Sequence, residues 1–275
     1  MSLGPSLTAT EAAIFETLVV PRYMQVFATP AVPMLIPSSG AVVAHLGCRT
    51  GYPDALIGTH MPGCTISGAD SSHPALELAR TKAAYMTGVT AEYVHAESFP
   101  TPLPGGSYSH SFSLHPMGIR GDYLAVFAEH FRLLTTGGQM VVAMPLRGSF
   151  PELYDMLREY ALRHDQPHFG EAVDAAAGLR PNPETLVEQI ARAGFEDVDV
   201  GVELVTIPFD NGRDFLEDPI ARLVVGPDIR SSIPVSDGNV EPGMEYAADA
   251  VSKYWSEITF ELTVNIGSVS ARRLS

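Results

Sequence analysis

The stretch from Ala41 to Asp70 constrains the fold of this chain most strongly. An apolar run, 41–46, is followed by a turn that contains glycine, a short helical run and a second short run that ends on an acid. A continuous apolar run bounded by glycine is typical of a strand buried in a parallel sheet. The order strand, glycine turn, helix, strand and acid predicts half of a nucleotide-binding fold, with the acid placed where ribose hydroxyls bind.

Strands and helices continue to alternate from residue 41 to about residue 209. This alternation favours an α/β fold with a doubly wound, mostly parallel sheet and right-handed crossovers. The last predicted strand has no crossover helix pattern immediately beside it, and we expect it to insert antiparallel. The strands are predicted at 41–46, 65–70, 92–96, 109–115, 139–144, 198–209 and 259–269, and the helices at 8–36, 73–86, 121–134, 150–164, 183–193, 213–225 and 244–257.

Two regions lie outside this alternation. Residues 1–40 are predicted to form an N-terminal helical cap, which Pro30, Pro33 and Pro37 bring to an end. Residues 41–275 then form the sheet domain, with an irregular insertion at about 210–258 that is punctuated by proline and glycine. We expect the cap and this insertion to act as a lid, because such loops often decide which ligand is bound.

Charge and cysteine content exclude several classes of function. The net charge of −15 argues against nucleic acid and anionic membranes as partners. Two cysteines are too few for a disulfide framework, and with the scattered histidines they do not form a zinc-site pattern. No secretory signal pattern and no apolar run of about 18 residues occurs, so we expect a cytoplasmic protein without membrane insertion.

The glycine turn does not match the dinucleotide fingerprint. That fingerprint is G-x-G-x-x-G, whereas Gly47 and Gly51 are four residues apart, with Arg49 between them and Asp54 in place of the third glycine. A nicotinamide-dependent oxidoreductase is therefore a weaker hypothesis, and the extra seventh strand also disfavours it.

The turn 47–51 instead resembles the G-C-G-T-G loop of class I S-adenosylmethionine-dependent methyltransferases, with Arg49 at the central glycine. Segments that resemble other motifs of the family follow in the family's order, and both ends of the chain resemble a small-molecule branch related to quinone-biosynthesis methyltransferases. These segments are Gly68–Ser72 (G-x-D-x-S), Ala96–Ser98 (G-D-A), Leu103–Ser109 (F-P-D-G-S-F-D), Phe131–Gly138 (R-V-L-K-P-G-G) and Ala193–Phe195 (A-G-F), with Val19–Tyr23 and Ser270–Arg273 at the ends.

The resemblance implies a Rossmann-like seven-stranded sheet and transfer of a methyl group from S-adenosylmethionine to a small-molecule metabolite, leaving S-adenosylhomocysteine, without a metal. Asp70 would bind the ribose, and Glu97 and Ser98 would lie near the adenine. His115, at the end of the fourth strand, is the candidate general base, and Met117, Arg120, Met144 and Arg147 lie near the same edge. The implied cofactor-binding residues are Tyr23, His45, Gly47, Cys48, Arg49, Gly51, Asp70, Ser71, Glu97, Ser98 and Leu114.

Three departures from the family pattern support an alternative hypothesis. His45 and Ser109 stand where the family usually has acids, and Arg49 replaces a glycine. The alternative is a catalytically inactive binding or regulatory protein on the same fold, in which Arg49 fills the cofactor crevice. In either case the chain could form a homodimer.

Overall fold

Seven strands form one sheet in a computed structural model that describes residues 3–116, 123–234 and 240–274. The strands are β1 (Val42–Leu46), β2 (Thr65–Asp70), β3 (Thr90–His95), β4 (Tyr108–Leu114), β5 (Leu134–Pro145), β6 (Glu196–Phe209) and β7 (Phe260–Arg272). Their order in the sheet is β3-β2-β1-β4-β5-β7-β6. Strands β1 to β5 pair in parallel, with a register shift between Tyr108 and His110 where β4 meets β5.

The last strand, β7, runs antiparallel to β5. The Gly137 amide donates to the Arg273 carbonyl, and the Arg273 amide donates back to Gly138. Further along, the Leu146 amide donates to the Asn265 carbonyl. The residue numbers therefore rise along one strand as they fall along the other. The predicted fold class, including the antiparallel last strand, is confirmed. The position of β7 between β5 and β6 supplies the extra strand that disfavours a nicotinamide-dependent oxidoreductase.

Eleven α-helices are found among the described residues, with two π-helical segments, Phe15–Met24 and Ala221–Val225, and one 3₁₀ turn, Val32–Met34. None of these helices combines the length and the apolar character that crossing a membrane requires. The α-helices are α1 (Ala9–Ile14), α2 (Gln25–Ala31), α3 (Asp54–His60), α4 (His73–Ala83), α5 (Leu124–Leu133), α6 (Pro151–Arg163), α7 (Pro167–Gly178), α8 (Pro183–Arg192), α9 (Gly212–Glu217), α10 (Gly226–Ser232) and α11 (Glu241–Tyr254).

The chain divides into two compact units. The first comprises Met1–Met144, Pro183–Val202 and Gly267–Ser275, and the second comprises Pro145–Asn182 and Glu203–Ile266. Within the first unit, apolar side chains of β1, β4 and β5 form a buried core. Within the second unit, the rings of Phe209, Phe215 and Phe260 pack together. Every residue of the candidate site described below belongs to the first unit.

Candidate functional site

The sheet order places a topological switch point between β1 and β4. The chain passes from β1 to β2 on one side and reaches β4 on the other. Ligands of open α/β sheets bind outside the carboxyl ends of the strands at such a point. The turn 47–51 follows β1, Asp70 ends β2, and His115 follows β4. The strand ends therefore bring most of the predicted site residues to one edge of the sheet.

The turn after β1 has the tight backbone that its glycines predict. Gly47 and Gly51 have φ values of +64° and +75°, and the amides of Gly47 and Cys48 donate to the Ala69 carbonyl at 2.9 and 3.3 Å. A Cβ atom at Gly51 would stand 2.8 Å from the Tyr93 hydroxyl, so this position has no room for a side chain. Arg49 holds φ +48°, a conformation that costs a non-glycine residue energy.

The side chain of His45 takes part in a buried polar chain. Its Nδ1 atom lies 2.7 Å from Oδ1 of Asp54, and the Tyr93 hydroxyl donates to Oδ2 of Asp54 at 2.6 Å. All three side chains are buried, and His45 Nε2 has no hydrogen-bond partner among the described residues. Burial and the nearby Asp54 carboxylate raise the pKa of Tyr93 far above its usual value, which keeps the phenol protonated as a donor.

Asp54 and Tyr93 are absent from the predicted site. Asp54, the first residue of α3, places a carboxyl group against the side chain of His45, the position at which the family pattern has an acid. An acid in the first turn of a helix is commonly explained by the helix dipole alone. The sequence signal that could have indicated a role in the site is the presence of both a histidine in the strand and an acid at the start of the next helix.

Cys48 belongs to the core behind the turn. Its side chain packs with Leu76, Ala79 and Tyr93. Burial, together with the carboxylates of Asp70 and Asp54, raises the pKa of the Cys48 thiol. The thiol is therefore neutral and packed, and only the backbone of Cys48 can face a ligand.

Asp70 is fully buried, and the chain's own donors surround its carboxylate. Oδ2 accepts the Arg49 amide at 3.0 Å and Oδ1 accepts the Ser72 amide at 2.9 Å. The guanidinium of Arg49 also lies 3.7 Å from Oδ1 and is buried. The acid predicted for ribose binding thus stands at the predicted place, with Arg49 beside it in the crevice.

The segment Leu3–Leu7, here called the N-terminal segment, lies over this edge of the sheet. Arg49 donates to the Pro5 carbonyl, Ser71 Oγ donates to the Gly4 carbonyl at 2.8 Å, and the Leu7 amide donates to Ser72 Oγ at 3.0 Å. The Leu3 carbonyl oxygen stands 3.8 Å from where a Cβ atom on Gly47 would be. No sequence signal indicated that these residues belong to the site.

His115 packs against the helices that precede β1. Its ring stacks on Phe27 with centroids 5.3 Å apart and meets Tyr23 edge-on at 5.5 Å. Its backbone has φ +42°, and its amide donates to the Ala143 carbonyl at 2.7 Å. Leu114, the last residue of β4, is buried beside it. The structure therefore brings Tyr23, Leu114 and His115 together at the switch point.

Glu97 and Ser98 follow β3, and both are exposed. Glu97 Oε1 lies 3.1 Å from Nε2 of His95, and the same nitrogen lies 3.1 Å from the Ser71 carbonyl oxygen. His95 thus links this acid to the end of β2, while the ring of His73 stacks on that of His95 with centroids 3.8 Å apart.

Ser109 lies away from the site. It is near the amino end of β4, where its hydroxyl accepts the Val42 amide at 2.9 Å and donates to the Val42 carbonyl at 3.1 Å. The lost acid at this position therefore does not alter the carboxyl edge, and Ser109 no longer supports the inactive alternative.

The remaining residues of the predicted edge are placed as follows. Met144 is buried in β5, and Arg147 donates to the Gly178 carbonyl at 3.0 Å within the second unit. Met117 and Arg120 lie outside the described residues. Across the described ranges, no group of three or more histidine, cysteine, aspartate or glutamate side chains could hold a metal ion.

Known proteins resemble this chain in sequence and in fold. No protein-family model matches it. It is 26% identical over 189 residues to the demethylmenaquinone methyltransferase of Thermus thermophilus, which covers 64% of this chain and 82% of that protein. It is also 26% identical over 144 residues to the trans-aconitate 2-methyltransferase of Paracidovorax citrulli, 52% of each chain.

Solved structures extend the likeness of fold. Phosphoethanolamine N-methyltransferase 2 of Haemonchus contortus, in complex with S-adenosyl-L-methionine, has a TM-score of 0.56 at 16% identity, covering 98% of this chain and 58% of that one. The YcgJ protein of Bacillus subtilis has a TM-score of 0.52 at 12% identity, covering 89% and 96%.

Proposed function

We propose that this chain, a class I S-adenosylmethionine-dependent methyltransferase by sequence similarity and fold, transfers the methyl group of that cofactor to a small-molecule acceptor. The observation that carries the proposal is the convergence of the turn 47–51, Asp70 and His115 at the switch point of a sheet whose last strand is antiparallel. Relatives named as menaquinone and trans-aconitate methyltransferases support it.

The residue types at the switch point fit the cofactor. The glycine turn lets a ligand approach the backbone, and a carboxylate at the end of β2 suits ribose hydroxyls. Asp70 would hold the ribose, and Glu97 and Ser98 would lie toward the adenine. In the conformation described, the N-terminal segment lies over this place, so the same residues are available to a cofactor only when the segment moves.

Methyl transfer requires few chemical groups from the protein. The cofactor supplies a methyl group already activated on a sulfonium sulfur, so the chain must hold the acceptor in line and, for a hydroxyl or carbon acid, remove its proton. His115 is our proposed base, since it ends β4 at the switch point. Its ring packs on Phe27 and Tyr23, and it must expose one nitrogen to an acceptor to act in this way.

The alternative of an inactive protein predicts that Arg49 fills the crevice, and Arg49 is indeed buried beside Asp70. The curated relatives nevertheless carry the names of enzymes, which favours turnover. We also propose, from the net charge of −15, that nucleic acid is not the acceptor. A cytoplasmic location, a homodimer and a lid at 210–258 stay predictions.

The test is calorimetric titration with S-adenosylhomocysteine, followed by a methyl-transfer assay. Asp70→Asn keeps the shape of the side chain and removes its charge, and we expect it to weaken binding about tenfold or more, since hydrogen bonds to charged groups contribute about 1.5–3 kcal/mol. Asp155→Asn, on the exposed face of α6, is the matched control and should bind like the wild type. The enzyme is saturated with S-adenosylmethionine that carries a labelled methyl group. Failure to transfer the label to any small molecule in a metabolite extract would contradict the proposal.

A further inference from the structure

We propose that the N-terminal segment, Leu3–Leu7, occupies the cofactor site of the free protein, is held there by Arg49, and withdraws when the cofactor binds. The inference rests on the proposed function and deepens it, because it makes cofactor binding depend on an internal competitor. Its basis is the set of contacts that the segment makes at the ends of β1 and β2.

The first observation is where these contacts fall. Hydrogen bonds join the segment to Arg49 in the glycine turn and to Ser71 and Ser72, the two residues after Asp70. A nucleotide bound at the switch point would run along the same line, from the glycine turn to the acid that ends β2. The segment and a nucleotide therefore compete for the same path.

The second observation is the close fit between Gly4 and Arg49. A Cβ atom on Gly4 would stand 2.5 Å from Nη2 and 3.0 Å from Cζ of Arg49, so a side chain at this position would force the guanidinium to move. Gly4 also has φ +139°, a value that favours glycine. Arg49 itself holds φ +48°, a conformation in which glycine would be unstrained. The contacts of the Arg49 side chain offset this strain.

The third observation is that the segment can leave without disturbing the helix that follows. Helix α1 has its own cap, because the Glu11 amide donates to Thr8 Oγ1 and the Thr8 amide donates to the Glu11 carboxylate at 2.8 Å. The segment has no regular structure, and Pro5 and Ser6 are exposed. Thr8 is therefore the proposed hinge, and Leu3, Gly4 and Leu7 are the buried residues of the described segment before it.

A competing segment has a measurable consequence. If the covered state is about ten times more populated than the open one, the apparent affinity for a ligand of the open state falls about tenfold. A variant that weakens the contacts of the N-terminal segment should therefore regain up to this tenfold loss in apparent affinity. A segment that only packs on the surface has no such effect.

The experiment compares Gly4→Ala with Gly40→Ala in the full chain by calorimetric titration with S-adenosylhomocysteine. Gly40 also has a positive φ, +66°, but a Cβ atom there meets nothing within 4 Å, so its variant carries the backbone strain without a clash. We expect Gly4→Ala to bind about fivefold to tenfold more tightly than the wild type, and Gly40→Ala to bind like the wild type. Arg49→Gly, which removes the side chain that holds the segment, is the second variant should Gly4→Ala fail to fold.

Hydrogen exchange supplies a readout that does not depend on turnover. The Leu7 amide, bonded to Ser72 Oγ in the free protein, should exchange faster once the ligand is saturating. If Gly4→Ala and Arg49→Gly bind with unchanged affinity and the exchange at Leu7 is also unchanged, the proposal that the segment competes with the cofactor is wrong. The proposed function is not affected by that result. Weaker binding in those variants would mean that the segment helps to hold the ligand, which also overturns it. Absence of binding in every variant overturns both proposals.

Discussion

A single buried carboxylate, Asp54 at the start of α3, connects β1 with β3. It is fully buried and receives the His45 ring and the Tyr93 hydroxyl on its two oxygens. A buried charge without partners would be very unfavourable, so both bonds are needed for this acid to be tolerated. Gly51 and Gly68 leave the space for the Tyr93 side chain, since a Cβ atom on either would stand within 3 Å of it.

We expect Tyr93→Phe to lower the free energy of unfolding by about 1–3 kcal/mol, because it leaves one oxygen of Asp54 without its donor. Tyr85→Phe is the matched control. The ring of Tyr85 is 84% exposed, so loss of its hydroxyl should leave the stability within about 0.5 kcal/mol. Urea unfolding at neutral pH measures both. Equal stability of Tyr93→Phe and the wild type would show that Asp54 does not depend on this hydrogen bond.

The part of the site that depends on strand ends could be predicted from the sequence. Gly47, Asp70 and His115 each follow or end a strand, and parallel strands bring such positions to one edge. The partners of those residues could not be predicted. Tyr93 is 39 positions from Asp54, and Arg49 is 44 from Pro5, and only packing in three dimensions brings such pairs together.

At the scale of elements, the buried Glu129 and the partly exposed Arg132, which form an ion pair on α5, bind the loop that follows β3. Glu129 accepts the Thr101 amide at 2.9 Å and the Thr101 hydroxyl at 2.6 Å, and it meets Nε and Nη2 of Arg132 at 2.8 and 2.7 Å. Arg132 also donates to the Leu103 carbonyl at 3.0 Å. Burial alone would raise the pKa of Glu129, but the hydrogen bonds from Arg132 and Thr101 outweigh it and hold the pKa below its usual value of 4.5.

We expect Glu129→Gln to be less stable than the wild type by about 1–3 kcal/mol at pH 7. A carboxyl group whose pKa is lowered by folding stabilises the protein above its unfolded pKa, and that contribution disappears as the pH falls through the folded value. The difference between variant and wild type should therefore shrink below about pH 4.5. Glu77→Gln, in an exposed pair with Arg80, is the control and should show little effect at either pH. A difference that is constant with pH would argue that the glutamine disturbs packing rather than the charge.

Most elements could be predicted because their apolar periodicity is strong, and the exceptions have local causes. Helix α7 is not among the predicted elements, since two of its four buried positions are alanine, which gives a weak apolar signal. Pro21 does not interrupt the first helical region, although proline commonly breaks a helix. It lies in a π-helical segment, where the Gln25 amide bonds to the Val20 carbonyl five residues back and the wider turn accommodates a residue without an amide.

At the scale of the whole molecule, acid conditions should weaken the fold through a buried histidine. His130 is fully buried on α5, and neither ring nitrogen has a hydrogen-bond partner among the described residues. Burial lowers the pKa of His130 to about 3, with Glu129 opposing that shift and His45 adding to it. The ring is therefore neutral in the folded protein throughout the physiological range.

The sign of the effect follows from the two states. Between pH 6.5 and about 3 the unfolded chain binds a proton at this histidine that the folded chain does not bind, so stability falls as the pH falls. One such proton changes the free energy of unfolding by about 1.4 kcal/mol per pH unit, or about 2 kcal/mol between pH 7 and pH 5. Glu129 remains ionised across that interval because its pKa lies below 4.5, so the two effects separate.

We expect His130→Leu, similar in size and without polar atoms, to be as stable as the wild type at pH 7 and to lose about 2 kcal/mol less on acidification to pH 5. Urea unfolding at pH 7, 6 and 5 measures this difference directly. His168→Gln, at a side chain that is 94% exposed, should keep the wild-type slope. If His130→Leu lost stability as steeply as the wild type, the acid sensitivity of the molecule would have to arise elsewhere, and a protonated His130 would have to find a partner within the folded core.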